Sequence, residues 1–307
     1  MATSIIEEFS KQFRRVLIVG GSGFIGSRVS DILVENDIEV FSTYRTSTHD
    51  SPKLSSANHG STQVELSAPD EIGRIIETTK PHLVINLATF FTKSDDKSVT
   101  QPLIDSNVAL VAHLAQSCAQ SNVPLVQAQS AWQFNSKGIL DPLTPYFLYK
   151  QIGQEICEWY GLKRELNVNF VRFFDTYGPN DTRKKVVNLL ISAFENSEDL
   201  DLSGGMQIVN LLHVDDAAMG VLASSLSFRQ GINLETYWCS GQSDLTLKGL
   251  VDYISNLYVK SPTINWGVVP YRQGEIFEPW TFEMKPPPHW RRKIDLQHGL
   301  ATLASNH

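Results

Sequence analysis

The stretch RVLIVGGSGFIG at residues 15–26 decides the fold. Its first six residues form a continuous apolar run rich in β-branched side chains, which is typical of a strand buried on both faces of a sheet. The glycines that follow permit a tight turn, and a helical stretch then extends from Phe24 to about residue 36. Two registers fit the turn: G-x-G-x-x-G from Gly21 and G-x-x-G-x-x-G from Gly20.

A glycine turn between a buried strand and a helix has a specific chemical use. Backbone N–H groups and the helix N-terminus can face a pyrophosphate, with no β-carbon in the way. A glycine pattern alone often marks only a tight turn, but the strand before it and the helix after it indicate a dinucleotide site. The predicted cofactor contacts in this turn are Gly20, Ser22, Gly23, Phe24, Ile25 and Gly26.

Strand and helix patterns alternate along the first half of the chain. Further buried strands are predicted at residues 38–44, 83–86 and 124–130, with helical stretches between them. This alternation predicts an α/β fold, a Rossmann-like doubly wound parallel sheet with helices on both faces.

The pattern becomes less regular after about residue 171, which predicts a smaller C-terminal substrate-binding lobe. We therefore expect a Rossmann domain that binds the dinucleotide over residues 1–174, and the substrate lobe mainly over residues 175–307. Later segments with strand patterns, at about residues 206–240, are expected to return to the Rossmann domain.

Composition and charge exclude several classes of function. The chain has 307 residues, of which 42% are apolar and 19% charged, as in ordinary soluble globular proteins. Its net charge of -7 argues against a general nucleic-acid binder, because neutralising phosphates needs clustered Lys and Arg. The basic clusters RKK at 183–185 and RRK at 291–293 are interpreted as solvated surface.

The remaining sequence features predict a location and exclude two kinds of site. Three cysteines are too few and too scattered for a metal cluster or a disulfide framework, so reduced and partly buried thiols are expected. The N-terminal segment has acidic residues where a secretion signal would have an apolar core. No apolar run approaches the ~20 residues needed to cross a bilayer. We expect a soluble, cytoplasmic protein with no bound metal, no nucleic-acid partner and no membrane contact.

The tip of the second predicted strand indicates which dinucleotide binds. An NAD site places Asp or Glu there to hold the ribose 2′-hydroxyl. This chain instead has Tyr44 and Arg45 after Ser42 and Thr43. An arginine can pair with a 2′-phosphate in fork geometry, although a loop arginine can also be simply solvated. Because the acid is missing as well, the sequence predicts NADP(H), with Tyr44 and Arg45 among its contacts.

Ser130, Tyr146 and Lys150 form the predicted catalytic set. Tyr146 and Lys150 are four residues apart, so on a helix they share one face and can address one bound molecule. The ammonium would lower the phenol pKa and hold the nicotinamide ribose, which makes the tyrosine a usable proton donor. Ser130 ends the preceding predicted strand, at the edge that faces the cofactor crevice of an open α/β sheet. Its hydroxyl can hydrogen-bond the substrate oxygen there. The alternative interpretations are a turn cap for Ser130 and a core aromatic for Tyr146.

In these motifs and their order the chain resembles the extended short-chain dehydrogenase/reductases, the NAD-dependent epimerase/dehydratase-like proteins. The motifs that carry the resemblance are GGSGFIG at 20–26, INLAT at 85–89, SAWQF at 130–134, PYFLYK at 145–150, VRFFDTYGPND at 171–181 and LLHVDDAA at 211–218. They span residues 16–218, and the similarity is looser towards the C-terminus. The resemblance implies a nucleotide-sugar substrate, with the nucleotide held by the C-terminal lobe and the hexose near the nicotinamide.

The resemblance also implies site residues and an assembly. Cofactor contacts would include Leu87, Ala88, Thr89 and Phe174, together with Tyr146 and Lys150. Substrate contacts would be Thr89, Ser130, Gln133, Asp175 and Arg272. His213 and Asp215 would hold the lobes together rather than take part in catalysis. A homodimer would pair through helices around 107–120 and 146–164, with Ile152, Ile156 and Trp159 as an apolar stripe or, alternatively, as part of the core of one chain.

Two departures from the family pattern bear on the substrate. Asp175 stands where the family usually has Asn, and Val209 stands where many relatives have a diphosphate-binding Arg. Arg272, in PYRQGE at 270–275, is then the best remaining candidate for the diphosphate. This segment also resembles the ketoreductases that complete CDP- or GDP-linked deoxysugars, such as the abequose and paratose synthases.

Several reactions share this scaffold. Ala131 and Trp132 follow Ser130, where a 4,6-dehydratase has its acid–base pair and an epimerase-reductase its cysteine, so both reactions are disfavoured. The sequence favours NADPH-dependent reduction of the C4 ketone of a nucleotide-diphosphate 4-keto-(di)deoxyhexose in deoxysugar biosynthesis. The alternatives are a nucleotide-sugar 4-epimerase with tightly bound NAD, and a protein that senses NADP without catalysis.

Overall fold

The computed structural model describes residues 4–44, 61–66, 68–230 and 234–304. In chain order its first elements are α1 (Ile5–Gln12), β1 (Arg15–Val19), α2 (Phe24–Val34), β2 (Glu39–Tyr44), β3 (Thr62–Glu65), α3 (Ile72–Thr79), β4 (Leu83–Asn86), α4 (Lys97–Ile104), α5 (Leu110–Ser121), β5 (Leu125–Ser130), α6 (Pro145–Arg164) and β6 (Val168–Phe173). The later elements are β7 (Asp175–Tyr177), α7 (Val186–Asn196), β8 (Leu200–Leu202), β9 (Ile208–His213), α8 (Val214–Ser224), β10 (Glu235–Cys239), β11 (Gln242–Thr246), α9 (Leu247–Ser255), β12 (Ile264–Trp266) and α10 (Leu296–Ala304).

Seven strands form one sheet in the order β10-β6-β5-β4-β1-β2-β3. Every pairing between neighbours in it is parallel. The apolar runs noted in the sequence form strands of this sheet. β4 and β6 are buried along their whole length, as expected for strands covered on both faces. The predicted α/β fold with a doubly wound parallel sheet is confirmed.

Helices cover both faces of this sheet. On one face α1, α2 and α8 form a core with side chains such as Val16 and Val126, and on the other α3, α5 and α6 do so with Leu17 and Phe170. Polar side chains within the sheet are paired: Asn86 Nδ2 donates to Gln127 Oε1 at 2.8 Å, and both residues are buried.

The C-terminal part has its own small sheets and its own core. The strand order β11-β9-β7 forms one sheet, β12 and β8 form another, and α7, α9 and α10 contribute to the third core. Of the segments expected to return to the Rossmann domain, β10 joins the large sheet beside β6, whereas β9 pairs with β7 and β11. The boundary between domains at residues 174 and 175 stays a prediction.

One predicted strand begins later than the sequence indicates. The pattern GGMQIV at residues 204–209 predicts a strand there, but β9 covers Ile208–His213. Gly205 has a φ of 75°, a left-handed conformation that turns the chain before the strand starts. The apolar residues of this segment therefore lie partly in the turn.

Candidate active site

The glycine turn is built from close backbone approaches. Gly20 has a φ of 84°, and a Cβ there would lie 2.6 Å from the Ala88 backbone nitrogen. A Cβ on Gly26 would collide with the carbonyl oxygen of Gly20. Helix α2 begins directly after Gly23, has no acidic residue in its first turn, and receives no hydrogen bond from a side chain of its N-cap. This N-terminus fits a pyrophosphate, since the backbone N–H groups and the helix dipole both favour an anion.

A cleft of about 2110 Å³ opens at the carboxyl ends of the parallel strands and is lined by both parts of the chain. Sixteen of the predicted site residues line it: Gly20, Ser22, Gly23, Phe24, Ile25, Gly26, Tyr44, Leu87, Ala88, Thr89, Ser130, Tyr146, Lys150, Phe174, Asp175 and Arg272. Arg45, predicted to contact the cofactor, lies outside the described residues.

Helix α6 presents Tyr146 and Lys150 to this cleft. Thr144 is the N-cap and Pro145 occupies the first turn, where a proline costs no hydrogen bond, so Tyr146 lies at the start of the helix. Both side chains are 6% exposed. The Lys150 Nζ donates to the Ala128 carbonyl at 3.2 Å and lies 5.6 Å from the centre of the Tyr146 ring.

Burial changes the pKa of both groups. It raises the pKa of Tyr146 to about 12, although a hydrogen bond with the Thr89 side chain and the charge of Arg183 act in the opposite direction. The predicted lowering of the phenol pKa is therefore wrong for this structure, because desolvation outweighs the nearby charges. Burial also lowers the pKa of Lys150 to about 8. Tyr146 thus keeps its proton at neutral pH and can donate it.

Ser130 is held at the end of β5 by its neighbours. Its side-chain oxygen accepts from the Trp132 N–H at 3.3 Å, and its own N–H donates to Gln133 Oε1 at 3.0 Å. Gln133 is fully buried, and its Nε2 donates to Gln151 Oε1 on α6 at 2.8 Å. Gln133, predicted from the sequence to contact the substrate, does not line the cleft, and both ends of its amide are hydrogen-bonded within the protein. It instead fixes Ser130 relative to α6.

Phe174 and Trp132 line the cleft beside Ser130, and Trp280 packs against both of them. The buried Phe174 meets Trp280 edge-on, with ring centres 4.9 Å apart, and Trp280 meets Trp132 at 6.0 Å. Asp175, next along the chain, pairs with Lys185 at 3.2 Å. Phe174 and Asp175 therefore lie in the cleft, as predicted from the sequence.

Several residues of the cleft are not among those predicted from the sequence. Phe91 meets Tyr146 edge-on at 4.9 Å between ring centres, and the Lys185 Nζ lies 4.7 Å from the centre of the Phe91 ring. Arg183 stacks on Phe24 of the glycine turn at 4.2 Å and pairs with Asp181. The interpretation of RKK at 183–185 as solvated surface is wrong for Arg183 and Lys185, whereas Lys184 is exposed. The sequence does carry a signal, since acidic residues stand two and ten positions before these two cations.

His213 and Asp215 have structural partners. The buried His213 accepts the Asp215 N–H with its Nδ1 at 3.3 Å and so caps α8. Arg28 of α2 pairs with Asp215. Burial lowers the pKa of His213, which keeps the ring neutral and suits it to this acceptor role.

Three further features concern cysteines, metal sites and membrane spans. All three cysteines are buried and unbridged. Within the described ranges, no group of three or more His, Cys, Asp or Glu side chains is placed to hold a metal ion. None of the helices in those ranges is long and apolar enough to span a membrane.

Fold and site together define an α/β protein with a dinucleotide-binding turn and a Ser-Tyr-Lys cluster in one cleft. Residues 16–238 match the profile of the NAD dependent epimerase/dehydratase family, and the chain belongs to that family. The resemblance to the extended short-chain dehydrogenase/reductases is confirmed, and with it a family that binds a nicotinamide cofactor.

The chain is also similar to individual members of known name. It is 26% identical over 269 residues to a CDP-abequose synthase of Yersinia pseudotuberculosis, which covers 86% of this chain and 91% of the relative. A CDP-abequose synthase of Salmonella typhimurium is 21% identical and covers 96% of this chain and 98% of the relative. A UDP-glucose 4-epimerase of Brucella ovis, solved with NAD, superposes with a TM-score of 0.80 at 18% identity, over 95% of this chain and 97% of that one. At that identity the structural match shows the fold.

The buried Lys150 is expected to reduce the stability of the fold. Its lowered pKa means that the folded state disfavours the ammonium, so Lys150→Met should raise the free energy of unfolding by about 1–3 kcal/mol at pH 7. Between pH 8 and 10.5 the unfolded unaltered chain binds more protons than the folded one, so its stability rises with pH in this range. The stability gained by Lys150→Met is therefore full below about pH 8 and lost towards pH 10.5. Urea unfolding at pH 7 and pH 9.5 measures it.

Lys163→Met, at the exposed end of α6, is the matched control and should change stability by less than about 0.5 kcal/mol. A Lys150→Met protein no more stable than the unaltered one at pH 7 would contradict the burial argument.

Proposed function

We propose that this protein reduces the C4 ketone of a nucleotide-diphosphate 4-keto-(di)deoxyhexose with NADPH. The observation that carries the proposal is that Ser130, Tyr146 and Lys150 line one cleft with the glycine turn, and that the phenol keeps its proton there. The buried Ala131 and the aromatic Trp132 follow Ser130, so this segment offers no acid–base pair for a dehydratase. The similarity to CDP-abequose synthases supports a deoxysugar substrate.

Each residue has a distinct task in this reaction. Bound in the cleft, the nicotinamide cofactor supplies the hydride. Tyr146 donates a proton to the ketone oxygen, and the Ser130 hydroxyl donates a hydrogen bond to the same oxygen. Lys150 holds the nicotinamide ribose and stabilises the phenolate that remains. The ring of Phe91, which contacts Tyr146 edge-on, shields one side of the phenol from water.

A 4-epimerase is the second candidate, favoured by the structural similarity to UDP-glucose and UDP-glucuronic acid 4-epimerases. An epimerase returns the same hydride and keeps one NAD tightly bound, whereas a reductase exchanges its cofactor at each turnover. The tip of the second strand supports the reductase, because Tyr44 follows Thr43 there and the acid that an NAD site places at this tip is missing. A non-catalytic NADP sensor, the third candidate, commonly lacks the tyrosine or the lysine that this chain retains.

The NADP preference is expected to depend on Arg45. A charge-assisted hydrogen bond to the 2′-phosphate contributes roughly 1.5–3 kcal/mol, so Arg45→Ala should narrow the preference for NADPH over NADH by about tenfold or more. Fluorescence titration of both cofactors measures this preference. The control is Arg15→Ala, at the start of β1 and outside the lining of the cleft. Equal affinity for both cofactors in the unaltered protein would overturn the assignment.

A homodimer is expected through α5 and α6. Trp159 is 49% exposed and Leu162 70% exposed on α6, whereas Ile156 packs partly into the core. Sedimentation velocity at micromolar concentration should show a dimer, and Trp159→Glu together with Leu162→Glu should shift it towards monomer. A monomer in the unaltered protein would reject this arrangement.

The cytoplasmic location stays a prediction.

Tyr146→Phe tests the reaction itself. The substitution removes the hydroxyl and leaves the ring packing nearly unchanged, so NADP(H) affinity should survive while turnover falls by ~10²–10⁴. The assay is NADPH consumption with CDP-, dTDP- and GDP-linked 4-keto-6-deoxyhexoses, followed by NMR of the product. Tyr149→Phe, on the same helix and wrongly spaced from Lys150, is the control and should stay near the unaltered rate. Reduction by Tyr146→Phe at that rate would exclude Tyr146 as the acid.

A further inference from the structure

One buried cation, Arg172 of β6, takes no part in the proposed reaction. Its side chain is 2% exposed. The residues on either side of it, Val171 and Phe173, belong to the core on the opposite face of the sheet, so Arg172 points towards α6. Its Nη2 donates to Gln154 Oε1 on α6 at 2.6 Å, whereas its Nε and Nη1 have no hydrogen-bond partner in the described structure.

No carboxylate balances this charge directly. Among the residues that the structure describes, none of the ion pairs within 4.0 Å includes Arg172. Gln154 Nε2 donates to Glu158 Oε1 at 2.7 Å, so an acidic group is reached only through an amide. Burial lowers the pKa of Arg172 to about 10, although the charge of Glu158 acts in the opposite direction. A buried charge without a direct counter-charge costs free energy, so the fold alone gives little reason to retain this arginine.

The guanidinium contacts the turn that begins at Ser130. Its carbon Cζ lies 4.4 Å from the centre of the Phe134 ring and 5.2 Å from that of the Trp238 ring on β10. Phe134 closes the turn, because its N–H donates to the Ala131 carbonyl at 3.1 Å. Arg172 therefore holds the far end of the segment whose first residue is Ser130.

On α6 the contact is made with the face that bears the other two proposed catalytic residues. Tyr146, Lys150 and Gln154 are spaced four apart and are all buried, so they lie along one side of the helix. The hydrogen bond from Arg172 to Gln154 restrains the rotation of α6 about its axis. It thereby restrains the direction in which Tyr146 and Lys150 point.

We propose that Arg172 is a positioning residue that holds Ser130 and Tyr146 at the spacing at which both reach one substrate oxygen. The inference rests on the proposed function, because that function assigns both residues to the same oxygen. Arg172 does not line the cleft and acts only through its neighbours. A planar guanidinium can lie against an aromatic ring and donate a hydrogen bond at its edge, which an ammonium cannot do in the same way. A misplacement of about 1 Å between reacting groups can cost roughly a hundredfold in rate.

Arg172→Met tests this role, because it removes the charge and the fork but keeps a long apolar side chain. With NADPH and a nucleotide-linked 4-keto-6-deoxyhexose, kcat should fall about ten- to hundredfold, while KM and NADP⁺ affinity stay within about twofold. The melting temperature should fall by no more than about 4 °C, since removing a buried charge offsets the lost hydrogen bond. Arg74→Met, at an exposed arginine of α3, is the matched control and should leave the rate within about twofold.

Two further variants separate geometry from charge. Arg172→Lys retains the charge but not the fork, so its kcat should stay low. Phe134→Leu removes the ring under the guanidinium and should also lower kcat, and combining it with Arg172→Met should cause little further loss, because both changes break one contact. Restoration of the rate by Arg172→Lys, or additive losses in the combined variant, would overturn the proposal.

Hydrogen exchange followed by mass spectrometry gives a readout that needs no turnover. In Arg172→Met, exchange should become faster in residues 130–134 and 145–154 and stay unchanged in the rest of the large sheet. Faster exchange throughout the protein, with a melting temperature lowered well beyond 4 °C, would show a merely structural role and reject the proposal. Local loosening in a protein that reduces no ketone rejects only the reductase, whereas ketone reduction by Arg172→Met at the unaltered rate rejects only the positioning role.

Discussion

The close approach of the glycine turn to its neighbours is the constraint on which the site depends. Gly20 lies against the Ala88 backbone, Gly26 against the carbonyl of Gly20, and Gly21 against the Ser42 side chain. A β-carbon at any of these places would push β1 and α2 away from the ends of β2 and β4. Because the turn meets Ala88, it also fixes Thr89, whose hydroxyl donates to Asn107 at 2.8 Å and whose side chain is hydrogen-bonded with Tyr146. The cofactor turn and the proposed acid are therefore parts of one packed unit.

The sheet order then brings the rest together. β1, β4, β5 and β6 are neighbours and parallel, so the segments after them emerge at one edge of the sheet. That edge supplies the turn, Thr89, Ser130 and Phe174, while α6 places Tyr146 and Lys150 over it. Burying an ammonium there costs stability, and the hydrogen bond from Lys150 to the Ala128 carbonyl offsets only part of that cost. We infer that the lysine is kept for its chemistry and not for the fold.

Features encoded locally could be predicted from the sequence, and features that depend on tertiary packing could not. Buried strands, the glycine turn and the Tyr146–Lys150 spacing are written in consecutive residues. The burial of Gln133 depends on Gln151 of a helix that packs against it, and the raised pKa of Tyr146 depends on how closely the cleft walls surround it. β9 pairs with β7 and β11 through contacts between distant segments. Arg183 and Lys185 were not predicted from the sequence because their aromatic and carboxylate partners, not the basic run itself, hold them in the cleft.

Those partners also explain a departure from the family pattern. The resemblance to the family implies Asn at the position of Asp175, and in this chain Asp175 pairs with Lys185 at 3.2 Å. The lysine lies over Phe91, and Phe91 lies against Tyr146. An unpaired ammonium at this place would favour the phenolate, whereas a proton donor must remain protonated until the substrate arrives. A carboxylate at position 175 neutralises that ammonium where a neutral amide could not. Asp181 likewise pairs with Arg183, whose charge lowers the pKa of Tyr146 less than burial raises it.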